Sequence, residues 1–139
     1  MASLTHTVSV ETRGGNDMHD ITALVQETLR ESGLQHGIAT VFVRHTTAAI
    51  IIGEYEPGLI HDIPNLIENI APASGDYRHN ILNHDDNAHS HLVGSLMGPS
   101  ETVPFSDGAL TLGTWQQIIL IELDPHPRRR EIVIQIMGE

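Results

Sequence analysis

Polar and apolar residues alternate over residues 5–12, with Val8 and Val10 on one side, which is the period-two signature of a strand. The period changes after the Arg13-Gly14-Gly15-Asn16 turn. Ile21, Leu24, Val25 and Leu29 recur at helical spacing behind Asp20, and Gly33 follows as a stop, so a helix is predicted over residues 20–32. Residues 37–45 read as a strand with Ala39, Val41, Val43 and His45 on one face and Thr40, Phe42 and Arg44 on the other. A wholly apolar strand is expected at 48–52, ended by Gly53. Leu66, Ile67 and Ile70 predict a second helix over 62–70, with Asp62 near its start, Pro64 in its first turn and Pro72 as its end.

Residues 73–91 break the pattern. They are polar, rich in turn formers, and hold four of the ten histidines. Read as one long loop, this stretch points to function, because long ordered loops in compact domains usually carry it. If His89-Ser90-His91 is extended, its two imidazoles share one face. Beyond it strands return: 101–105 and 109–112 around Ser106-Asp107-Gly108, then 115–123, then 130–137. In the third of these Trp115 and Gln116 fall on opposite faces, with Gln116 the polar, site-facing candidate. Strand-rich with two helices, the pattern predicts an α+β fold with sheets packed face to face.

At 139 residues the chain is expected to form one domain over residues 1–139, able to bury roughly 68% of its unfolded surface without staples. Composition then narrows the chemistry. Eighteen acidic residues against seven arginines give a formal net charge of −11. General nucleic-acid binding is not expected from such a chain, since it rests on many cations. There is no lysine, which excludes a Walker loop and Schiff-base chemistry, and no cysteine, which excludes thiol nucleophiles and thiolate metal sites. No apolar run approaches membrane-spanning length, and the first residues show no secretory pattern, so a soluble cytoplasmic protein without membrane partners is expected. Chemistry falls to His, Asp, Glu and Arg. Spacing alone supplies only a weak metal signal, with no HExxH helix.

Arg44-His45-Thr46-Thr47-Ala48-Ala49, then Asp76-Tyr77-Arg78-His79-Asn80, then Asp86-Asn87-Ala88 running to His91-Leu92, follow one another along the chain. Gly98-Pro99-Ser100-Glu101-Thr102-Val103-Pro104 and Asp107-Gly108-Ala109-Leu110-Thr111-Leu112-Gly113-Thr114-Trp115-Gln116 complete the series. In this order they closely resemble the YjbQ family over nearly the whole chain. The resemblance implies a jelly-roll-like β-sandwich of mostly antiparallel strands, assembling as a homotrimer. It places metal-ligand candidates at His45, His79 and His91, and carboxylates at Glu54 and Asp62. It places substrate-binding candidates at Thr46, Thr47, Asn87, Ser100 and Gln116. Gly53 stands where the family usually has Asn, Phe105 where it has a smaller aliphatic, and His61, His84 and His89 are additions.

Three functions follow as expectations. The family label, secondary thiamine-phosphate synthase, implies joining a pyrimidine diphosphate to a thiazole phosphate with loss of pyrophosphate, as a weak or side activity. Arg44, Arg128, Arg129 and Arg130 would then grip the phosphates, since arginine forks match phosphate oxygens, and Mg²⁺ would be the metal. A metal-dependent hydrolase or lyase would instead hold zinc or another transition ion on the three histidines, with Glu54 or Asp86 as base. A non-catalytic trimer binding an anion or phosphorylated metabolite is the third.

Overall fold

The computed structural model describes residues 1–139. Eight strands and four helices follow in chain order: β1 (Ala2–Glu11), β2 (Asp17–Asp20), α1 (Thr22–Ser32), β3 (Gly37–Val43), β4 (Ala48–Gly53), α2 (Pro57–Ile70), α3 (Arg78–Asn83), α4 (Ala88–Met97), β5 (Ser100–Ser106), β6 (Ala109–Leu110), β7 (Gln117–Glu122) and β8 (Arg129–Gly138). They build a five-stranded sheet in the order β1-β8-β3-β5-β6 and a three-stranded sheet in the order β2-β7-β4. Every pairing is antiparallel.

The two sheets face each other across Val41 and Val43 of β3, Ile132, Ile134 and Ile136 of β8, and Ile118 and Leu120 of β7, with Val25 and Leu29 of α1 at the edge. The small sheet is covered on its other face as well. There Ile119, Ile121 and Leu123 meet Ile67 of α2 and Val93 of α4. This double burial explains why residues 118–121 are an unbroken apolar run and not an alternating one.

Several predicted elements fall where the pattern put them. Gly33 takes the left-handed conformation that stops α1 at φ 71°, and Asp107 and Gly108 both take positive φ in the β5–β6 hairpin. Others differ. The second helix begins at Pro57, not at residue 62, because the Glu56 carboxylate caps it by accepting from the amides of Gly58 and Leu59. Pro64 therefore lies inside α2 and not in its first turn. Residues 73–91 are no loop: they contain α3 and the start of α4, so the chain has four helices and not two. Trp115 and Gln116 precede β7 in a turn and belong to no strand.

Candidate functional site

β3 ends at Val43, and residues 44–47 swing the chain across into β4. α4 lies against this crossing. A Cβ on Gly94 would stand 2.9 Å from the Thr46 carbonyl oxygen, so glycine is what lets the helix approach so closely. Between the crossing and α4 lies a cleft of about 540 Å³. Arg44, His45 and Thr46 line it from one side and His91 and Ser95 from α4, with Phe42 and Pro99 as apolar wall. A cleft of this size takes a small organic molecule.

His45 Nε2 accepts a hydrogen bond from the backbone N–H of Glu131 at 3.0 Å. Burial, helped by the nearby Arg130 charge, holds its imidazole below the ordinary histidine value. His91 is also held low, first by burial and then by the neighbouring His79. The His79 and His91 ring centres are 4.6 Å apart at a tilt of 56°. Neither ring nitrogen of His91 meets a protein partner within the chain, nor is either sealed from solvent.

Behind His91 runs a chain of polar groups, with Asn87, Asp124, Glu122 and Arg130 buried, His79 half-buried and Arg128 exposed. His79 Nε2 meets Asn87 Oδ1 at 3.1 Å, and Asn87 Nδ2 donates to Asp124 at 3.2 Å. Asp124 also accepts from Arg128 Nη2 at 3.2 Å and from the His126 N–H at 3.0 Å. Burial alone would raise the Asp124 carboxyl, but these donors outweigh it and hold it below the usual carboxylate range. The Asp124 N–H donates to Glu122 at 3.0 Å, and Glu122 in turn pairs with Arg130, whose Nη2 reaches Thr47 Oγ1 at 2.7 Å. Thr12 donates to the same Glu122 carboxylate at 2.6 Å.

The structure thus gathers His45, Thr46 and His91 in one cleft, with Ser100 just past its Pro99 wall, and sets His79 and Asn87 behind His91. Thr47 and Arg130 are buried together, and Arg128 is tied to Asp124, so neither of these two arginines has its charge free for a ligand. Glu54 sits past the far end of β4, about 23 Å along the chain from the crossing at Thr47. Asp62 is exposed on α2 beside His61, and Asp86 is exposed and pairs with His126 at 2.6 Å. Gln116 folds back on the Gly113 amide at 2.8 Å, outside the cleft. His84 caps α3 and is exposed, while His89 is buried with an unpartnered Nδ1. Because residues 88–97 are helical, His89 and His91 lie about 200° apart around the axis and not on one face.

No three His, Asp or Glu side chains converge as a metal centre requires. His79 and His91 are two donors, one short of the three protein ligands a catalytic zinc takes, and the Nε2 of His45 is already engaged. The donor set of one chain does not fit a three-histidine metal. Ser95, Glu122 and Asp124 were not singled out from sequence. The sequence carries a signal for the last two: carboxylates that follow the apolar run 118–121 must be paired to be buried.

Comparison with known proteins supplies the lineage. A family model described as UPF0047 protein YjbQ-like matches residues 6–139. The chain belongs to the YjbQ family. A UPF0047 protein of Methanothermobacter thermautotrophicus is 44% identical over 123 residues, which is 88% of this chain and 84% of that one. Another from Bacillus subtilis is 34% identical and covers 95% of this chain and 98% of its own. Among solved structures, a YbjQ-like protein of unknown function from Sulfolobus solfataricus superposes with a TM-score of 0.94 at 38% identity, over 99% of both chains. A hypothetical protein from Aeropyrum pernix gives 0.91 at 37% identity, over 98% and 99%. The α+β fold of this YjbQ-family chain, with its antiparallel sheets, is that of the family. No helix is long and apolar enough to cross a membrane.

Proposed function

We propose that this chain is an enzyme acting on a small metabolite that carries a single phosphate or other oxyanion, bound in the cleft between the 44–47 crossing and α4, with His91 as general base. The observation that carries this is His91 itself. It is a half-buried imidazole with both nitrogens free of protein partners, opening on a cleft whose other wall offers Arg44, His45 and Thr46. A neutral imidazole so placed can take a proton from a bound substrate. His79 packs against its ring and is itself held by Asn87, which Asp124 anchors in turn, so the pair is oriented from behind.

A single oxyanion suits the cleft better than a diphosphate. Arg128 and Arg130 are bound to internal carboxylates, which leaves Arg44, in an exposed ion pair with Glu131 at 3.6 Å, as the cleft's cation. The thiamine-phosphate synthase label asks for a stronger pyrophosphate grip than that.

The homotrimer belongs to the same proposal. Ile38, Phe42 and Met137 stand exposed on the outer face of the five-stranded sheet, and an apolar face of this kind is usually covered by a partner. Phe42 also lines the cleft, so a second copy on that face would border the site.

The test is a binding and turnover screen against phosphomonoesters, carboxylates and the pyrimidine diphosphate with thiazole phosphate pair. Wild type is expected to be stabilised by phosphomonoesters, and His91→Ala to keep that binding while losing turnover by roughly a hundredfold or more. Fast pyrophosphate release from the diphosphate pair, with no phosphomonoester bound, would reverse the preference. Light scattering on the eluted protein should give three times the mass of one chain.

A further inference from the structure

If the cleft takes an oxyanion, as proposed above, the proton positions on its histidines can be read from their partners. A backbone amide only donates. The Glu131 N–H on His45 Nε2 therefore requires a lone pair there, and a neutral ring then carries its proton on Nδ1. Nδ1 has no protein partner and is not enclosed, and the ring lines the cleft. We infer that His45 is a hydrogen-bond donor to the bound oxyanion, locked in its Nδ1–H form by the β8 backbone, and not a metal ligand.

The alternative fails on the same geometry. To ligate a metal through Nδ1, the ring must move its proton to Nε2. Two N–H groups would then oppose each other at 3.0 Å, and the amide would lose its acceptor. To ligate through Nε2, the ring must leave the amide altogether.

His79 is locked the opposite way. Asp124 accepts from Arg128 and from the His126 amide, so it is the NH₂ of Asn87 that faces it. The Asn87 oxygen is left for His79, and His79 Nε2 must donate to it. Asp85 stands 3.7 Å from the same nitrogen and agrees with that assignment. The lone pair of a neutral His79 is then on Nδ1. Two histidines that the sequence groups as equivalent ligands thus do different work: His45 presents a proton, His79 a lone pair. With the Arg44 guanidinium and the Thr46 hydroxyl beside it, the His45 N–H completes a donor set for phosphate or carboxylate oxygen.

Long-range proton–nitrogen correlation spectra of ¹⁵N-labelled protein test this directly. Near neutral pH, His45 should show a protonated Nδ1 and an unprotonated Nε2. Zn²⁺ should leave both nitrogens in place, and inorganic phosphate should shift Nδ1. A protonated Nε2, or a Zn²⁺-induced shift at His45, overturns the lock. Acetate run in parallel separates the sources: a response to phosphate alone assigns a phosphoryl group, and an equal response to acetate assigns a carboxylate. His45→Asn keeps an N–H close to the Nδ1 position and should hold phosphate within about threefold of wild type. His45→Ala should lose roughly tenfold or more. Equal losses in the two variants overturn the donor role. Silence toward both ions throughout the cleft overturns the metabolite proposal and the donor role with it, while the nitrogen shifts still decide the lock.

Discussion

Arg130 is the residue whose removal should do most harm without touching a ligand. Its side chain is 4% exposed and that of its partner Glu122 is fully buried, so Arg130→Met would strand a carboxylate in the interior. Breaking a buried pair from one side costs about 3–5 kcal/mol, and urea unfolding should show a loss in that range. Replacing both partners by apolar residues of similar size should cost much less, because the desolvation penalty disappears with the charges. Asp124 makes a pH prediction. Its folded-state carboxyl titrates below the unfolded value of about 3.9, so its contribution to stability is present above that value and is lost as pH falls through the folded one. Unfolding midpoints measured at pH 6 and pH 3 should therefore differ less in Asp124→Asn than in wild type. The histidines show the limit of reading single residues. Alternation continued past the end of β3 puts His45 on the inward face, and its ring lines the cleft. Which of its nitrogens is free depends on Glu131, 86 positions away, and no local pattern carries that.

At the scale of elements, legibility followed apolar periodicity. α1, β3 and β8 bury regular stripes and β4 an unbroken apolar run, and their positions can be read to within a few residues. α4 cannot, because the face it buries is Ala88, His89, Ser90, Val93 and Gly94, which is small or polar and leaves no hydrophobic period. β2 was invisible for a similar reason: of Asp17-Met18-His19-Asp20 only Met18 is buried, and its pairing with β7 holds it in place. The half of the site contributed by α3 and α4 was thus legible as a polar anomaly and not as structure. α4 also supplies a test of how tightly the cleft is built. Gly94→Ala would gain up to about 1 kcal/mol of helix propensity. The new methyl would meet the Thr46 carbonyl at 2.9 Å, and backbone cannot turn aside as a side chain can. Overpacking costs about 1–3 kcal/mol, so a net loss in thermal stability is expected, with phosphate binding weakened as α4 is pushed off the crossing.

For the molecule as a whole, the charge of −11 means self-repulsion that salt relieves. Melting temperature should rise by a few degrees between about 20 mM and about 0.5 M NaCl, and a flat profile would contradict this. The same whole-molecule view gives the topology a meaning in time. β8 lies between β1 and β3, paired with β1 from Ala2↔Gly138 to Glu11↔Arg129 and with β3 from Gly37↔Gly138 to Val43↔Ile132. The hub of the larger sheet is therefore the last of its strands to leave the ribosome. Until it emerges, β1 has no neighbour and β3 lacks one edge, while the smaller sheet already has all its strands. Assembly must wait for translation to pass β8, so a ribosome-held chain halted before residue 129 should present unpaired strands to chaperones, and one released past β8 should not.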